Sequence, residues 1–287
     1  MKAANAAALV FFLTSALFAQ IEQANLTGVV TDDSGAVVPG AKVTVKNAAT
    51  AFSRSTESTG TGTWSMPAVP PGSYTLTVEA KGFSTAKFEA VTLTVAQSLQ
   101  INATLSPGAV SEVVEVSAAA APIIELENAQ ISNIITSKKI QQLPLVTRNP
   151  YDLVLLSPGT IQSNSALGGF SVNGSRERNN NFLLDGVDNN DASVPGIPGG
   201  ATNLNPDSTE EFRVITNNFL AEYGRNTGAI IEVVTKGGTN TLKGNAYWFG
   251  RYNAMAARDW FNPKGETQHP FVRNMFGGSI GGPVIKD

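Results

Sequence analysis

The sequence predicts a mainly β chain that consists of a β-sandwich, a small α+β domain and a final hairpin of alternating strands. Two observations support this prediction. Segments in which apolar and polar residues alternate recur along the chain, and a period of two is typical of half-buried strands. Turn residues separate these segments at short spacing, with Gly at 27 of 287 positions and charged residues at only 15%. This length leaves room for about two domains.

Residues 24–106 predict the β-sandwich. Three segments alternate with a period of two, and the apolar residues of each share one face: Val43 and Val45; Tyr74, Leu76 and Val78; and Ile101, Ala103 and Leu105. Turn signals occur at Asp33-Ser34-Gly35, Pro39-Gly40, Thr59 to Gly62, Pro71-Gly72 and Lys81-Gly82. About seven short strands in a span of this length favour a small sandwich.

The same span resembles the carboxypeptidase regulatory-like domain. The matching residues are Gly28-x-Val30-x-Asp32, Gly35, Val38-Pro39-Gly40-Ala41-x-Val43, Gly60 to Trp64, Pro71-Gly72-x-Tyr74-x-Leu76 and Gly82-Phe83. The resemblance implies a transthyretin-like, carbohydrate-binding-like fold and no peptidase activity, because this domain is an accessory to the catalytic one. A sugar-binding role stays open, although we expect Trp64 and Tyr74 to lie in the core.

The N-terminus has the layout of an export signal. Lys2 precedes an apolar run from Ala6 to Leu17 that is too short to span a bilayer and matches a signal-peptide core. Ala19 offers a small residue at the cleavage site, whereas Leu17 stands where a small residue is usual. We therefore expect residues 1–19 to be a signal peptide, with a buried N-terminal helix as the alternative.

Charge and cysteine content exclude several classes of site. The net charge of −3 provides no basic stripe that could neutralise phosphates, so we expect no nucleic-acid partner. The sequence contains no Cys, which excludes disulfides, thiolate metal sites and a cysteine nucleophile.

Residues 126–240 predict the α+β domain. The pattern predicts a helical turn before Pro144 and a second helix from about Asn149 to Leu156. Short strands are expected at Phe170–Val172, Phe182–Leu184, Phe212–Thr216 and Ile230–Val234. Ser208-x-x-Glu211 is a capping-box pattern and predicts a short helix, with Asp207 and Glu210 near its positive end.

These segments resemble the plug domain of TonB-dependent outer-membrane receptors. The matching pieces are QLPLVTRN, VNGSRERNNNFLLDGV, NPDSTEEFRVIT and AEYGRNTGAIIEVVTKGGTN. The resemblance assigns a structural signature to Asp185, Gly186, Tyr223, Gly224, Gly228, Thr235 and Lys236. Glu232 departs from the Asn that the family often has at this position. The combination of the regulatory-like sandwich, the plug segments and the letters RN…DWF resembles the Oar-like subgroup of this family.

The linker at residues 107–125 contains a candidate docking strand, SEVVEVSA, at residues 111–118. The residues alone favour an eighth sandwich strand over a strand that pairs with the sheet edge of another protein. The family resemblance favours the second interpretation, because its members carry a TonB box between the export signal and the plug. It then implies that a periplasmic TonB-like energy-transducing protein binds Glu112, Val113, Val114, Glu115 and Val116.

Residues 241–287 predict the first hairpin of an outer-membrane β-barrel. Within TLKGNAYWFGRYN, one side carries Leu242, Gly244, Ala246, Trp248, Gly250 and Tyr252, as in a strand with one side toward lipid. FVRNMFGGSIGGPV predicts the returning strand, in which Asn274 interrupts the apolar side. A barrel needs at least about eight strands, so we expect the chain to be the front of a longer protein.

The remaining motifs do not form an active site. His269 is the one histidine and lies in the hairpin loop, so we expect no catalysis and no cofactor. Asp185, Asp188, Asn190 and Asp191 offer oxygen ligands for Ca²⁺, but their spacing is not that of an EF-hand. A polar loop is favoured over a metal site.

Two functions stay open. The resemblance implies the N-terminal part of a receptor in the cell outer membrane, surrounded by lipid, that takes up a large extracellular substrate such as a carbohydrate or a peptide. Its sandwich and docking segment would lie in the periplasm. The alternative is a secreted or surface-attached adhesion protein that uses the sandwich as a carbohydrate-binding-like module.

Overall fold

The computed structural model describes residues 23–108, 113–117, 129–145, 147–163, 168–202, 204–220, 223–224, 226–257 and 270–284. The expected signal peptide and His269 lie outside the described residues. The chain divides into two compact units, Met1–Lys236 and Gly237–Asp287. Among the described residues, no helix has the length and apolar character needed to cross a membrane.

The N-terminal part of the first unit is a sandwich of two sheets. Its strands are β1 (Ala24–Asp32), β2 (Lys42–Lys46), β3 (Ser53–Glu57), β4 (Thr63–Val69), β5 (Gly72–Glu79), β6 (Thr85–Leu93), β7 (Ser98–Gln100), β8 (Ala103–Leu105) and β9 (Val113–Ser117). One sheet has the order β3-β2-β5-β6-β9. In the other sheet β4 pairs antiparallel with β1, while β7 and β8 pair with β1 in parallel.

The predicted strand around residues 101–105 is divided into β7 and β8. The side-chain oxygen of Asn102 accepts the N–H of Val29 at 3.0 Å, where a continuous ladder would have placed a backbone carbonyl. The sandwich core lies between the sheets and contains the alternating apolar residues of both. Trp64 and Tyr74 belong to this core, with 3% and 2% of their surface exposed, so their predicted position is confirmed.

The second part of this unit is a mixed sheet with short helices. Its elements are β10 (Ile131–Thr136), α1 (Ser137–Gln142), a 3-10 helix (Pro150–Leu156), β11 (Thr160–Gln162), β12 (Phe170–Val172), a 3-10 helix (Glu177–Asn179), β13 (Asn181–Leu184), β14 (Val187–Asp188), a 3-10 helix (Pro206–Ser208), β15 (Thr209–Asn217) and β16 (Ile230–Thr235). The main sheet has the order β10-β15-β16-β13-β14, and β11 pairs with β12 separately.

Two helix predictions need correction. The segment from Pro150 to Leu156 is a 3-10 helix, which Asn149 caps by accepting the N–H of Tyr151 at 3.1 Å. The capping-box prediction at Ser208 is wrong. Asn205 caps a single 3-10 turn, and Thr209 then begins β15, because β10 and β16 pair with this strand on its two edges.

An aromatic cluster fills the core on one face of this sheet. Tyr151 packs edge-on against Phe182 at a ring separation of 5.6 Å, and it stacks on Phe212 at 6.5 Å. Phe170 contacts Phe182 edge-on at 5.9 Å. These rings join the 3-10 helix and β12 to the central strands, so the face is closed without a long helix.

The second unit is a hairpin of β17 (Lys243–Tyr252) and β18 (Val272–Gly281), with a 3-10 turn (Asn253–Met255) after β17. Trp248 pairs with Phe276, and they are 61% and 78% exposed. Tyr252 donates its hydroxyl to the side-chain oxygen of Asn274 at 2.8 Å. This bond gives the amide that interrupts the apolar side a partner on the neighbouring strand.

Candidate functional site

The candidate docking strand is part of the sandwich sheet. Val113–Ser117 form β9, which pairs in parallel with Thr85–Glu89 of β6. The register places Val114 beside Ala86 and Glu115 beside Lys87. Glu112 lies outside the described residues. Of the two interpretations of residues 111–118, the structure shows the strand position, and the docking role stays a prediction.

The chain before β9 is fixed to the start of β6. Ser84 donates both its N–H and its hydroxyl to the carbonyl of Ser106, at 2.9 and 3.1 Å. The N–H of Gly108 donates to the carbonyl of Gly82 at 3.2 Å, and Phe83 forms a β-bridge with Pro107. The point from which β9 departs is therefore held by backbone bonds.

Two residues of the predicted signature meet at the end of β16. The Asp185 carboxylate accepts the N–H of Thr235 at 2.8 Å and its hydroxyl at 2.9 Å. The N–H of Asp185 donates to the carbonyl of Val233 at 2.8 Å. Asp185 and Gly186 have positive φ angles of 49° and 77°, which turn the chain back from β13 into β14. The Asp185 carboxylate, in the turn between β13 and β14, thus fixes the C-terminal end of β16.

Lys236 continues this connection on the other side of β16. Its N–H donates to the carbonyl of Ser208 at 2.9 Å, and its ammonium group donates to the carbonyl of Asp207 at 2.9 Å. The Asp207 carboxylate in turn pairs with Arg148, and both side chains are largely buried. The point where the chain leaves the first unit is consequently tied to β13, to the 3-10 turn before β15 and to the segment before the 3-10 helix.

Gly228 lies at the opposite end of β16 and allows a close approach of the chain. A Cβ there would lie 2.4 Å from the side-chain oxygen of Asn180 and 3.0 Å from the carbonyl of Asn179. Asn180 uses that oxygen to accept the N–H of Ala229 at 2.9 Å, and its amide donates to the carbonyl of Phe170 at 2.8 Å. A glycine is therefore required at residue 228.

Tyr223 and Gly224 lie in the segment that precedes Gly228 and β16. The N–H of Tyr223 donates to the carbonyl of Leu220 at 3.1 Å, which is a local turn. A Cβ at Gly224 would meet nothing within 4 Å, so packing does not explain a glycine there.

A buried charged cluster that the sequence did not reveal joins this sheet to the sandwich. Glu211, Arg213 and Glu232 are 8%, 0% and 0% exposed. The Glu211 carboxylate accepts the N–H of Val95 at 2.6 Å. Arg213 donates to the carbonyls of Val95 and Ala96 at 3.0 and 2.7 Å.

The charges in this cluster alternate in sign. The register places Arg213 directly opposite Glu232 on β16, and opposite charges in this position stabilise a strand pair. Burial raises the pKa of Glu211 and the neighbouring Glu210 charge adds to this rise, while the Val95 N–H and the nearby Arg213 charge act in the opposite direction. In the sequence, Glu211 and Arg213 stand two positions apart in β15, and Glu232 is the one charged residue of β16, which does not indicate what covers them.

The acidic loop after β13 uses its oxygens to cap its own turns. Asp188 accepts the N–H of Asn190 at 2.8 Å, and Asp191 accepts the N–H and the hydroxyl of Ser193 at 2.8 and 2.6 Å. Hydrogen bonds from Ser193 and Val194 lower the pKa of Asp191. In the part of the chain that the structure describes, no group of His, Asp and Glu side chains could hold a metal ion.

Comparison with protein families decides the identity of these parts. Residues 25–106 match the carboxypeptidase regulatory-like domain, and residues 125–230 match the TonB-dependent receptor plug domain. Residues 234–287 match an outer membrane beta barrel domain. The chain carries the plug domain of TonB-dependent receptors, between a regulatory-like domain and part of an outer membrane beta barrel domain. The predicted resemblance and the predicted fold class are confirmed, and the outer membrane is its location.

A curated relative is similar to most of this chain. The TonB-dependent transporter Oar of Myxococcus xanthus is 29% identical over 239 residues, which are 79% of this chain and 22% of that protein. The chain therefore spans 22% of the length of this relative.

Solved structures of receptors are similar to about half of this chain. The siderophore receptor PirA of Acinetobacter baumannii has 23% identity and a TM-score of 0.40, over 54% of this chain and 22% of that chain. A variant of the ferric enterobactin receptor PfeA of Pseudomonas aeruginosa, in complex with enterobactin, has 18% identity and a TM-score of 0.42, over 55% and 23% of the two chains.

Proposed function

We propose that this chain forms the N-terminal part of an energy-coupled receptor that imports a large substrate across the outer membrane. The observation that supports it best is the order of its parts. A sandwich, an extended strand and a plug sheet follow one another, and the last plug strand leads in sequence into a hairpin with an exposed apolar side. The name of the Myxococcus xanthus relative, a TonB-dependent transporter, agrees with this function.

The proposed domain boundaries follow the same order. They are residues 1–19 for the signal peptide, 24–106 for the regulatory-like sandwich, 107–125 for the linker with the docking strand, 126–240 for the plug, and 241–287 for the first barrel hairpin. The sandwich and the docking strand lie in the periplasm in this proposal, where an energy-transducing partner can reach them.

The partner in this proposal is a periplasmic TonB-type protein that binds residues 111–118 by β-augmentation. Backbone hydrogen bonds supply most of the affinity in this binding mode, and a short extended segment is sufficient for it. The described part of this segment, Val113–Ser117, is extended and lies at the edge of a sheet. The proposed receptor carries out binding and transport and no catalytic step, and its substrate class is a carbohydrate or a peptide.

A peptide titration tests the proposed partner. A synthetic peptide of residues 109–120 should bind the purified periplasmic domain of the TonB-type protein from the same cell. Val114→Pro in the peptide removes a backbone donor, so we expect an affinity loss of about tenfold. Glu115→Gln keeps every backbone donor and should change the affinity by less than about threefold. Failure of the unmodified peptide to bind would remove the docking role.

The same substitution separates transport from binding in the full-length receptor. Val114→Pro should abolish uptake and leave the binding of substrate at the cell surface intact, because the docking strand contacts the energy source and not the substrate. Unchanged uptake would show that residues 111–118 serve the sandwich alone.

A further inference from the structure

The plug sheet has a second buried face, opposite its aromatic core. Ile215 on β15 and Ile230 on β16 are both 0% exposed, and Val234 on β16 is 8% exposed. The two hydrophobic clusters that the described residues form do not include these three. Because alternate residues of a strand lie on opposite faces of its sheet, the three share this second face with the buried charged cluster.

One turn of the sandwich, residues 94–97, contacts the second face and is called the contact turn. Val95 is 0% exposed and also lies outside both hydrophobic clusters. It donates its N–H to the Glu211 carboxylate, and the Arg213 guanidinium donates to the carbonyls of Val95 and Ala96. The turn thus presents one donor and two acceptors to two charged side chains of β15.

The bonds that shape the contact turn lie within the sandwich. The side-chain oxygen of Gln97 accepts the N–H and the hydroxyl of Thr94 at 2.8 and 3.0 Å. The carbonyl of Gln97 accepts the N–H of Asn25 at 2.7 Å, which fixes the turn to β1. Ala96 has a positive φ of 51°, and a non-glycine residue keeps this conformation only where its surroundings hold it. The sandwich therefore orients the backbone groups that meet the plug.

We propose that the sandwich acts as a brake on the plug sheet. The contact turn stabilises the pairing of β15 with β16, and a rearrangement of the plug that separates these strands has to release the sandwich. Coupling between two sites is reciprocal, so loosening the turn also loosens the sheet. The brake is a property of this chain alone, whereas its use in regulating import rests on the proposed function.

The position of Arg213 links the contact turn to the strand pairing. β15 lies between β10 and β16, and the register places Arg213 opposite Ile134 on one side and Glu232 on the other. Separation of β16 would take the Glu232 charge away from Arg213, and a buried charge is tolerated only with its partners. Release of the turn would remove the two carbonyls that Arg213 binds. Each event therefore makes the other less costly.

Hydrogen exchange tests the brake in the purified chain, because it measures the opening of the β15–β16 ladder. Ala96→Val places a β-branched residue at a positive φ and should disrupt the contact turn. We expect the amides of β16 to exchange about tenfold faster than in the parent chain, although the substitution lies in the sandwich. Ala96→Gly relieves the strain and should not accelerate this exchange.

Ala90→Val is the matched control. Ala90 also has a positive φ, 56°, and it is an exposed residue of β6 in the same sandwich. This substitution imposes a similar backbone strain away from the contact turn, so the β16 amides should exchange within about twofold of the parent rate. Equal acceleration by Ala90→Val and Ala96→Val, or none by Ala96→Val, would overturn the brake.

A second pair of variants tests the turn through its side-chain bonds. Gln97→Ala removes both bonds to Thr94, and Gln100→Ala makes the same change on β7 as its control. Gln97→Ala should accelerate exchange at Val95 and in β16 together, and Gln100→Ala at neither. Fast exchange at Val95 with unchanged exchange in β16 would show that the contact does not stabilise the sheet. Unchanged exchange at Val95 in both Gln97→Ala and Ala96→Val would show that these bonds do not hold the contact. Either result refutes the brake and leaves the import proposal standing, because no partner or substrate is involved.

Discussion

At the scale of single residues, the charged cluster between the plug sheet and the sandwich is the feature with the sharpest consequences. Glu211 and Arg213 bind the backbone around Val95, more than a hundred residues earlier in the chain. Buried charges are tolerated only when each has a partner, so this contact requires the two parts to be positioned together. The cluster therefore couples the sandwich to the plug.

Glu211 should make the stability of the chain depend on pH. Burial raises its folded-state pKa above the unfolded value, so its stabilising contribution is fully present below the unfolded pKa and is lost as pH rises through the folded pKa. Glu211→Gln keeps an acceptor for Val95 but cannot ionise. We expect the variant to become more stable than the parent as pH rises across this interval, measured by urea unfolding.

Glu210 provides the matched control for this measurement. It precedes Glu211 on the same strand and is exposed. Its charge contributes less to the raised Glu211 pKa than burial does, so Glu210→Gln should change the free energy of unfolding by less than about 0.5 kcal/mol at every pH. A pH response of Glu211→Gln equal to that of Glu210→Gln would show that the Glu211 carboxyl is not buried against Val95.

The burial of a residue could be predicted from the sequence where the alternation within its own strand determines which face it lies on. The alternation in β4 and β5 was sufficient to place Trp64 and Tyr74 in the core, as the structure shows. The same alternation places Glu211 and Arg213 on the opposite face of β15 from Phe212, but it contains no information about what covers that face. A loop distant in sequence covers it, so the cluster had no local signal.

At the scale of elements, strands were predictable and short helices were less so. Local capping signals predicted a helix at Ser208, but the pairing of β15 with β10 and β16 outweighed them. The strand at residues 111–118 could not be assigned from the sequence, because its partner β6 ends well before it in the chain. Both the missed strand start at Thr209 and the unassigned strand β9 depend on pairing with strands distant in the sequence, which a local residue pattern does not indicate.

The connection of Asp185 to β16 can be tested as one element. Asp185→Ala removes the acceptor of two bonds from Thr235 and places Ala at a positive φ. We expect a loss of about 1.5–3 kcal/mol in stability and faster amide exchange at Thr235. Asp185→Asn is the matched control, because it keeps an acceptor oxygen and tolerates positive φ, so its loss should be smaller. Equal losses in both variants would contradict the role of the bonds.

At the scale of the whole molecule, the two units should differ in resistance to protease. The first unit has two packed cores, whereas the hairpin exposes Trp248 and Ile280 and has open strand edges. We expect limited proteolysis of the purified chain to leave a resistant body that ends near Lys236, with the sandwich sturdier than the plug. Mass spectrometry of the fragments shows the boundary. Equal protection of residues 241–287 and 24–106 would contradict the barrel assignment.

The central claim is that residues 111–118 bind the energy-transducing partner, and crosslinking in cells tests it most directly. A photo-crosslinking amino acid replaces Val114 in the full-length receptor, and a control variant carries it at Thr61, which is exposed in the turn before β4. We predict an adduct with the TonB-type protein from residue 114 and none from residue 61. The absence of an adduct from residue 114, or equal adducts from both, would contradict the account.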